Sequence, residues 1–363
     1  MDAFLTDETS CALLRLARTT NDLCASECDA RIVSVADGSS AQWWRLPLRA
    51  VSRYIEVDKN HPMCISVPDS QSRISSSLVR STICSAVLPK QSYMSVELTH
   101  DAFLAIESPA HSFASMAGAL QRAVLQERLN RLQARALLLA YGYELCGSYS
   151  RDAKNPSTAN CTYRLDPIAT PEELVAWCEA REGHNTLGIQ LARSCAPLVL
   201  GGSASPAETI HGIVFTLRPQ QGGLGMGVAN VLMNKRLELS PVEEGLVHRL
   251  PLTPDITFPR LHDLVLEHQG GDHDNPLQYQ EDASRTQDYA ALGHPMMMTS
   301  AADFVSPTAY ENFLWRFVAW VGHEMGSRAA NRYQSILENP IYASARYQLI
   351  ATLIDRIHDP WHW

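Results

Sequence analysis

The sequence predicts a protein of two main parts, an α+β amino-terminal domain followed by an α/β carboxy-terminal domain. Its 363 residues are enough for two or three domains. Short apolar runs bounded by turn-forming residues fill the first third of the chain, which is typical of strands. Later segments combine helix-start signals with strand-like runs, which indicates a sheet covered by helices.

The amino-terminal domain is expected over residues 1–150. Strands are predicted over 30–35, 63–68 and 93–98, and helices over 10–18 and 112–120. A single long helix is predicted over 120–145, where apolar residues alternate with four arginines, Arg122, Arg128, Arg131 and Arg135. These arginines fit either a solvated helix face or contacts with phosphate groups.

A helical connector is expected over 151–200, a second domain over 201–326 and a helical extension over 327–363. Thr170 and Ser205 each precede a proline and, three residues on, a glutamate, which is the pattern of a capped helix start. Helices are also predicted over 187–200, 310–322 and 342–357.

The amino-acid composition of the chain argues against several classes of protein. No apolar run approaches the roughly 18 residues of a membrane span, and the acidic amino terminus lacks the basic region of a signal peptide. Nine cysteines, an odd number without paired metal-binding spacing, predict reduced thiols and a cytoplasmic protein. The net charge of -9 argues against indiscriminate binding to nucleic acid.

The residues with the clearest chemistry lie on a predicted hairpin. Two short strands joined by 259–262 would place Asp255 near the start of one strand and Glu267 near the end of its partner. Side chains alternate along a strand, so Glu267 and Gln269 share a face and His268 points to the other. Two carboxylates and an amide oxygen on one face suit Mg²⁺ or Mn²⁺, although acids at strand ends can also be merely solvated.

These residues also carry a family resemblance. An acid, a hairpin, Glu-x-Gln, glycines and His273 follow one another in this order, and a predicted helix with Asp282 and Arg285 comes next. This order resembles the very-short-patch-repair-like branch of the PD-(D/E)XK nuclease superfamily. The resemblance spans about 202–322 and includes Glu208 as the acid on the first helix. It implies a restriction-endonuclease-like fold with a mixed central sheet, the hairpin at its centre and helices on both faces.

The resemblance also implies residue roles. Asp255 and Glu267 would ligate Mg²⁺ or Mn²⁺, and Glu208 would complete or support the site. Gln269 occupies the position where classical members have a lysine, and a neutral amide cannot supply that positive charge. His273 is then either a proton donor, a water-orienting group, a phosphate contact or an ordinary surface histidine.

The arginines are assigned as nucleic-acid contacts. Arg285 lies three residues after Asp282, so it either pairs with that acid or reaches a phosphate. Arg128 and Arg131 are the candidates for contacts with the DNA backbone in the first half of the chain.

The first half is similar, more diffusely, to the AbiEi-type regulatory domain of antitoxins. The similarity rests on the helical start near Thr6, the strand-rich middle and the segment 145–149. The combination implies a metal-dependent endonuclease that hydrolyses DNA, in defence or repair. The alternative is a catalytically inactive, nuclease-fold DNA-binding or toxin–antitoxin regulatory protein, favoured by eight acids against two arginines over 251–300. Whether the chain forms a homo-oligomer stays open.

Overall fold

The chain folds into two compact units, and each is described here by itself. The computed structural model describes residues 3–19, 24–28, 48–67, 69–84, 88–89, 91–99, 102–153, 160–181, 186–248, 250–269 and 276–356. Of the described residues, those within 3–145 and 149–197 form the first unit, and those within 146–148 and 198–356 form the second. Helices and sheets occur in both units, which confirms the mixed α/β class.

A six-stranded mixed sheet forms the centre of the first unit. Its strands are β1 (Ala3–Leu5), β2 (Cys24–Cys28), β3 (Met63–Val67), β4 (Val79–Ile83), β5 (Tyr93–Thr99) and β6 (Ala102–Glu107), in the spatial order β2-β5-β6-β1-β3-β4. The predictions of strands over 63–68 and 93–98 are confirmed, whereas the run 30–35 lies outside the described residues. A separate antiparallel pair joins β7 (Tyr149–Arg151) to β8 (Cys161–Tyr163).

The described helices of this unit are α1 (Asp7–Thr19), α2 (Leu48–Val51), α3 (Pro109–Leu125), α4 (Arg131–Leu145), α5 (Pro171–Ala180) and α6 (Ile189–Cys195). The first three contact the sheet, and α4, α5 and α6 pack on α3. Leu13 of α1 is buried in one core with Ile65 and Ile106 of the sheet. Arg15 of α1 donates to both carboxylate oxygens of Glu144 in α4, at 2.8 and 2.7 Å, so a buried ion pair joins these helices.

The prediction of one helix over 120–145 is wrong. The chain forms α3 and α4 instead, because Glu127 takes the left-handed conformation with a φ of 59°, which interrupts the first helix. Asn130 then caps the second helix. Its side-chain oxygen accepts a hydrogen bond from the Gln133 N–H, and its backbone N–H donates to the side-chain oxygen of Gln133. Arg128 therefore lies in a turn and Arg131 begins α4.

The two capped helix starts are confirmed. Thr170 and Glu173 form a complete capping box at the start of α5. The Ser205 hydroxyl accepts the N–H of Glu208 at the start of the next helix, α7 (Pro206–Thr216). The helix predicted over 187–200 is shorter, because α6 ends at Cys195 and continues as a 3₁₀ turn over Ala196–Leu198.

The second unit is built on a four-stranded mixed sheet. After α7 come β9 (Leu232–Met233), α8 (Pro241–Glu244), β10 (Ile256–Phe258), β11 (Leu264–Gln269), α9 (Pro276–Ala291) and β12 (Met296–Ser300). The spatial order is β12-β11-β10-β9, with β10 antiparallel to both β9 and β11, and β11 parallel to β12. The predicted hairpin is thus formed, and it occupies the centre of the sheet.

Helices cover both faces of this sheet. Phe258 packs against Phe215 of α7 on one face, at a ring-centroid distance of 4.9 Å. Val265 points to the opposite face, where it shares a buried cluster with Tyr289 of α9. The hairpin is therefore enclosed between helices, and the polar groups at its end are removed from bulk water.

Three further helices complete the second unit. They are α10 (Pro307–Met325), α11 (Ser327–Glu338) and α12 (Pro340–Arg356). The helices predicted over 310–322 and 342–357 correspond to α10 and α12, and α11 lies within the predicted helical extension, where no separate helix before 342 was specified. Among the helices that the structure describes, none has the length and apolar character needed to cross a membrane.

Candidate functional site

Asp255 and Glu267 lie at the same end of the central hairpin. The register pairs Ile256 with Leu266, which makes Asp255 and Glu267 the next residues in line. The Asp255 Oδ2 atom accepts the backbone N–H of His268 at 2.7 Å, so its carboxylate is held against β11. This is the juxtaposition that the sequence predicts.

Glu208 is held at this site from the first turn of α7. Its carboxylate accepts hydrogen bonds from the Ala204 N–H at 2.8 Å and the Ser205 hydroxyl at 2.9 Å. The Asn234 side-chain amide donates to it as well, and the Asn234 N–H donates to the backbone carbonyl of Asp255 at 3.0 Å. Asn234, which sequence reasoning missed, therefore joins Glu208 to the strand that carries Asp255.

The three acids form one electrostatic cluster. Burial, followed by the charge of Asp255, raises the pKa of Glu208 and of Glu267 to about 8. Burial also raises the pKa of Asp255. Side-chain exposure is low, since Glu208 and Glu267 are 5% and 7% exposed, so water screens this repulsion poorly.

Helix α9 supplies the other groups that contact Glu267. The Tyr289 hydroxyl donates to Glu267 Oε1 at 2.7 Å, and Arg285 Nη1 lies 3.3 Å from Glu267 Oε2. Arg285 also donates to the carbonyl of Thr253 at 2.5 Å. The predicted pairing of Arg285 with Asp282 stays a prediction, because the Asp282 side chain lies outside the described residues.

Gln269 shares a face with Glu267, as strand alternation predicts. Both residues line a small cavity of about 40 Å³, together with Arg285, Met296 and Met298. Three consecutive methionines, Met296 to Met298, begin β12, and two of them form one wall of this cavity. His273 falls in the segment 270–275, which lies outside the described residues.

His268 points to the opposite face, as predicted, and enters a buried hydrogen-bond chain. Its Nδ1 atom lies 3.2 Å from Thr299 Oγ1, which lies 3.2 Å from His211 Nε2. The other His211 nitrogen lies 2.7 Å from the Tyr310 hydroxyl. Burial lowers the pKa of both histidines, so this chain is neutral and supports the strand end that carries the acids.

Two of the three predicted DNA-contacting arginines, Arg128 and Arg131, lie in the first unit, whereas Arg285 lies in the second. Arg128 and Arg131 are both exposed. Arg128 lines a surface groove of about 520 Å³ that also includes Arg73, Arg80 and Arg122, against the single acid Glu8. Arg80 pairs with Glu8 and Arg122 pairs with Asp7, so Arg73 and Arg128 give the groove a net positive charge, which suits a phosphate-bearing partner.

The donor set of the acidic cluster suits a divalent cation. Carboxylate oxygens are the ligands that Mg²⁺ and Mn²⁺ prefer, and a cation would offset the repulsion by Asp255 that, after burial, raises the pKa of Glu208 and of Glu267. In the part of the chain that the structure describes, the group of three ligand atoms lying within 4.8 Å of one another is Glu56, Asp58 and His61, on a partly exposed turn. The carboxylate oxygens of the three acids Glu208, Asp255 and Glu267 do not all lie within 4.8 Å of one another.

Comparison of the chain with protein-family models, with curated proteins and with solved structures gives no match.

Proposed function

We propose that the second unit is a metal-dependent endonuclease that hydrolyses phosphodiester bonds in DNA. One observation carries the proposal: the order α7, β9, β10, β11, α9 and β12 gathers Glu208, Asp255 and Glu267 at one end of a central hairpin. The resemblance of these residues to the very-short-patch-repair-like nucleases supports the same function. The restriction-endonuclease-like fold is part of the proposal.

Asp255 and Glu267 would hold Mg²⁺ or Mn²⁺, with Glu208 completing or supporting the site. When bound, the cation supplies Lewis acidity toward the scissile phosphate and lowers the pKa of a coordinated water. The protein's own part is to orient the carboxylates. Asn234 positions Glu208, the His268 N–H positions Asp255, and Tyr289 positions Glu267.

Positive charge next to the phosphate would come from Arg285. Gln269 stands where classical members have lysine, and Arg285 lines the same cavity as Gln269. A guanidinium there stabilises negative charge that develops on the phosphate and also neutralises part of the acidic cluster. The exposed Arg128 and Arg131 would position the DNA backbone without reading its sequence.

A second candidate is a catalytically inactive nuclease-fold protein that binds DNA or acts as a toxin–antitoxin regulator. The ion pair between Arg285 and Glu267 favours it, because an internal cation already balances one of the proposed metal ligands. The neutral Gln269 and the wide spacing of the three acids point the same way.

Titration calorimetry with Mn²⁺ separates the two candidates. The enzyme requires a Mn²⁺ site that Asp255→Asn weakens by about 100-fold or more, whereas the exposed control Glu238→Gln leaves it unchanged. Absence of a Mn²⁺ site dependent on Asp255 in the folded wild-type protein would favour the inactive candidate. Cleavage of closed circular DNA then tests hydrolysis itself.

A further inference from the structure

The first unit contains a second polar cavity that the proposed nuclease activity does not use. Its volume is about 140 Å³, and Glu107, Asp7, His111 and Trp177 are among its lining residues. An empty cavity of roughly 150 Å³ accommodates a benzene ring, so this one has room for a small ring-sized molecule. Leu187, which is 45% exposed, also lines it and marks the side that faces solvent.

Glu107 is the unusual group in this cavity. It is 1% exposed, and its Oε1 atom accepts hydrogen bonds from the hydroxyls of Ser115, at 2.6 Å, and Thr6. Its Oε2 atom is buried and has no hydrogen-bond partner among the described residues. Buried carboxylate oxygens are normally satisfied, so Oε2 lacks a donor that some other molecule can supply.

The charges around Glu107 specify the kind of donor. Asp7 is balanced by Arg122 at 3.4 Å, and Arg181 lies over the Trp177 ring and donates to Thr186. In the described part of the chain, the ion-pair neighbour of Glu107 is the His111 imidazole at 3.8 Å. Burial lowers the pKa of His111 to about 4, so this imidazole is neutral near pH 7 and does not balance the Glu107 carboxylate. The two arginines that line the same cavity, Arg122 and Arg181, are engaged with the other groups just named.

The walls of the cavity favour a flat ligand. The His111 and Trp177 rings are stacked, with centroids 5.0 Å apart and an interplanar angle of 19°. Flat ring surfaces favour a planar ligand, and Arg181 already lies over one of them, the Trp177 ring. A planar cation with N–H donors would therefore meet both the shape of the cavity and the free oxygen of Glu107.

We propose that this cavity binds a small planar organic cation of the amidinium or guanidinium type, with its N–H groups directed to Glu107. Such a ligand gives Oε2 a charge-assisted hydrogen bond and balances the carboxylate. Burial and the nearby Asp7 raise the pKa of Glu107 to about 8, which is the behaviour expected of an acid that lacks its cation.

The test is calorimetric titration of the full chain with benzamidine at pH 8.5, where Glu107 is largely charged. Benzamide, its uncharged analogue, and benzoate, an anion of similar shape, serve as matched ligands. The expected result is saturable binding of benzamidine, at least about 10-fold tighter than binding of either analogue. No binding of benzamidine at millimolar concentration, or equal or tighter binding of benzamide or benzoate, would overturn the proposal.

Two variants separate the site from the fold. Glu107→Gln should weaken benzamidine binding by about 10-fold or more, while its melting temperature stays at or above that of the wild type. Ala114→Leu fills the cavity from α3 without changing its charge, and should also abolish binding. The exposed control Glu172→Gln should bind as the wild type does. Unchanged binding by folded Glu107→Gln and folded Ala114→Leu would show that benzamidine binds elsewhere.

Discussion

Replacing Asp255 by asparagine should stabilise the metal-free second unit at alkaline pH. Asp255 contributes to the raised pKa of both Glu208 and Glu267, from 4.5 to about 8 in each case. Removal of the charge of Asp255 from beside two buried carboxylates should raise the free energy of unfolding by on the order of 1 to 3 kcal/mol once both glutamates are ionised. Asparagine keeps an oxygen that can accept the His268 N–H.

The sign of the pH dependence follows from the raised pKa values. A glutamate whose pKa is higher in the folded state stabilises that state below pH 4.5, and this stabilisation is lost as the pH rises through about 8. The wild type should therefore lose stability between pH 5 and pH 8.5, and Asp255→Asn should lose less. The two proteins should converge as the pH falls below about 4.5, where Glu208 and Glu267 are protonated in the folded state.

Amide hydrogen exchange of β10 and β11 in EDTA measures this effect within the second unit alone. Opening free energies are compared between Asp255→Asn and the wild type at each pH, after correction for intrinsic exchange rates. Glu238→Gln, the same loss of one charge at an exposed position, should behave as the wild type. Equal or lower protection in Asp255→Asn at pH 8.5 would refute the clustering of the three acids.

Three other expectations follow from named contacts. Replacing both Arg128 and Arg131 by alanine should reduce the slope of log affinity against log salt for DNA binding by about 2, and an unchanged slope would show a merely solvated surface. Gln269→Lys should change the cleavage rate about tenfold or raise the Mn²⁺ requirement, because it adds a cation beside the acids; if neither changes, Gln269 is remote from the chemistry. Burial alone would raise the pKa of Glu144, but Arg15 lowers it to about 2, so this pair should stabilise the fold above pH 4.5 and progressively less as the pH falls toward 2. Glu144→Gln should therefore cost about 3 to 5 kcal/mol in chemical denaturation at pH 7, and a loss below about 1 kcal/mol would contradict this role.

Local patterns were sufficient to predict the centre of the candidate site. Alternation along one strand and a four-residue turn placed Asp255 beside Glu267, and a cap signal placed Glu208 in the first turn of a helix. Each of these inferences depends on residues close together in sequence. The contacts of Asn234 and Tyr289 with the acids join distant segments, so no periodicity in the sequence could indicate them.

The missed break between α3 and α4 is of a different kind. Apolar residues and arginines continue through the segment, and this composition hid the change of direction. The capping pattern of Asn130 and Gln133 was nevertheless present in the sequence, and it marks the start of α4. The left-handed conformation of Glu127, in contrast, has no reliable sequence signal, since glutamate rarely adopts it.

Single-turnover cleavage of closed circular DNA tests the central proposal most directly. The wild type and Glu238→Gln should nick or linearise the DNA with Mg²⁺ or Mn²⁺ and not with EDTA. Asp255→Asn and Glu267→Gln should be slower by about 100-fold or more while remaining folded, because each removes a charged metal ligand. Metal-independent cleavage, cleavage at the wild-type rate by both variants, or no cleavage by folded wild-type protein with Mn²⁺ would contradict the assignment of this site as a nuclease centre.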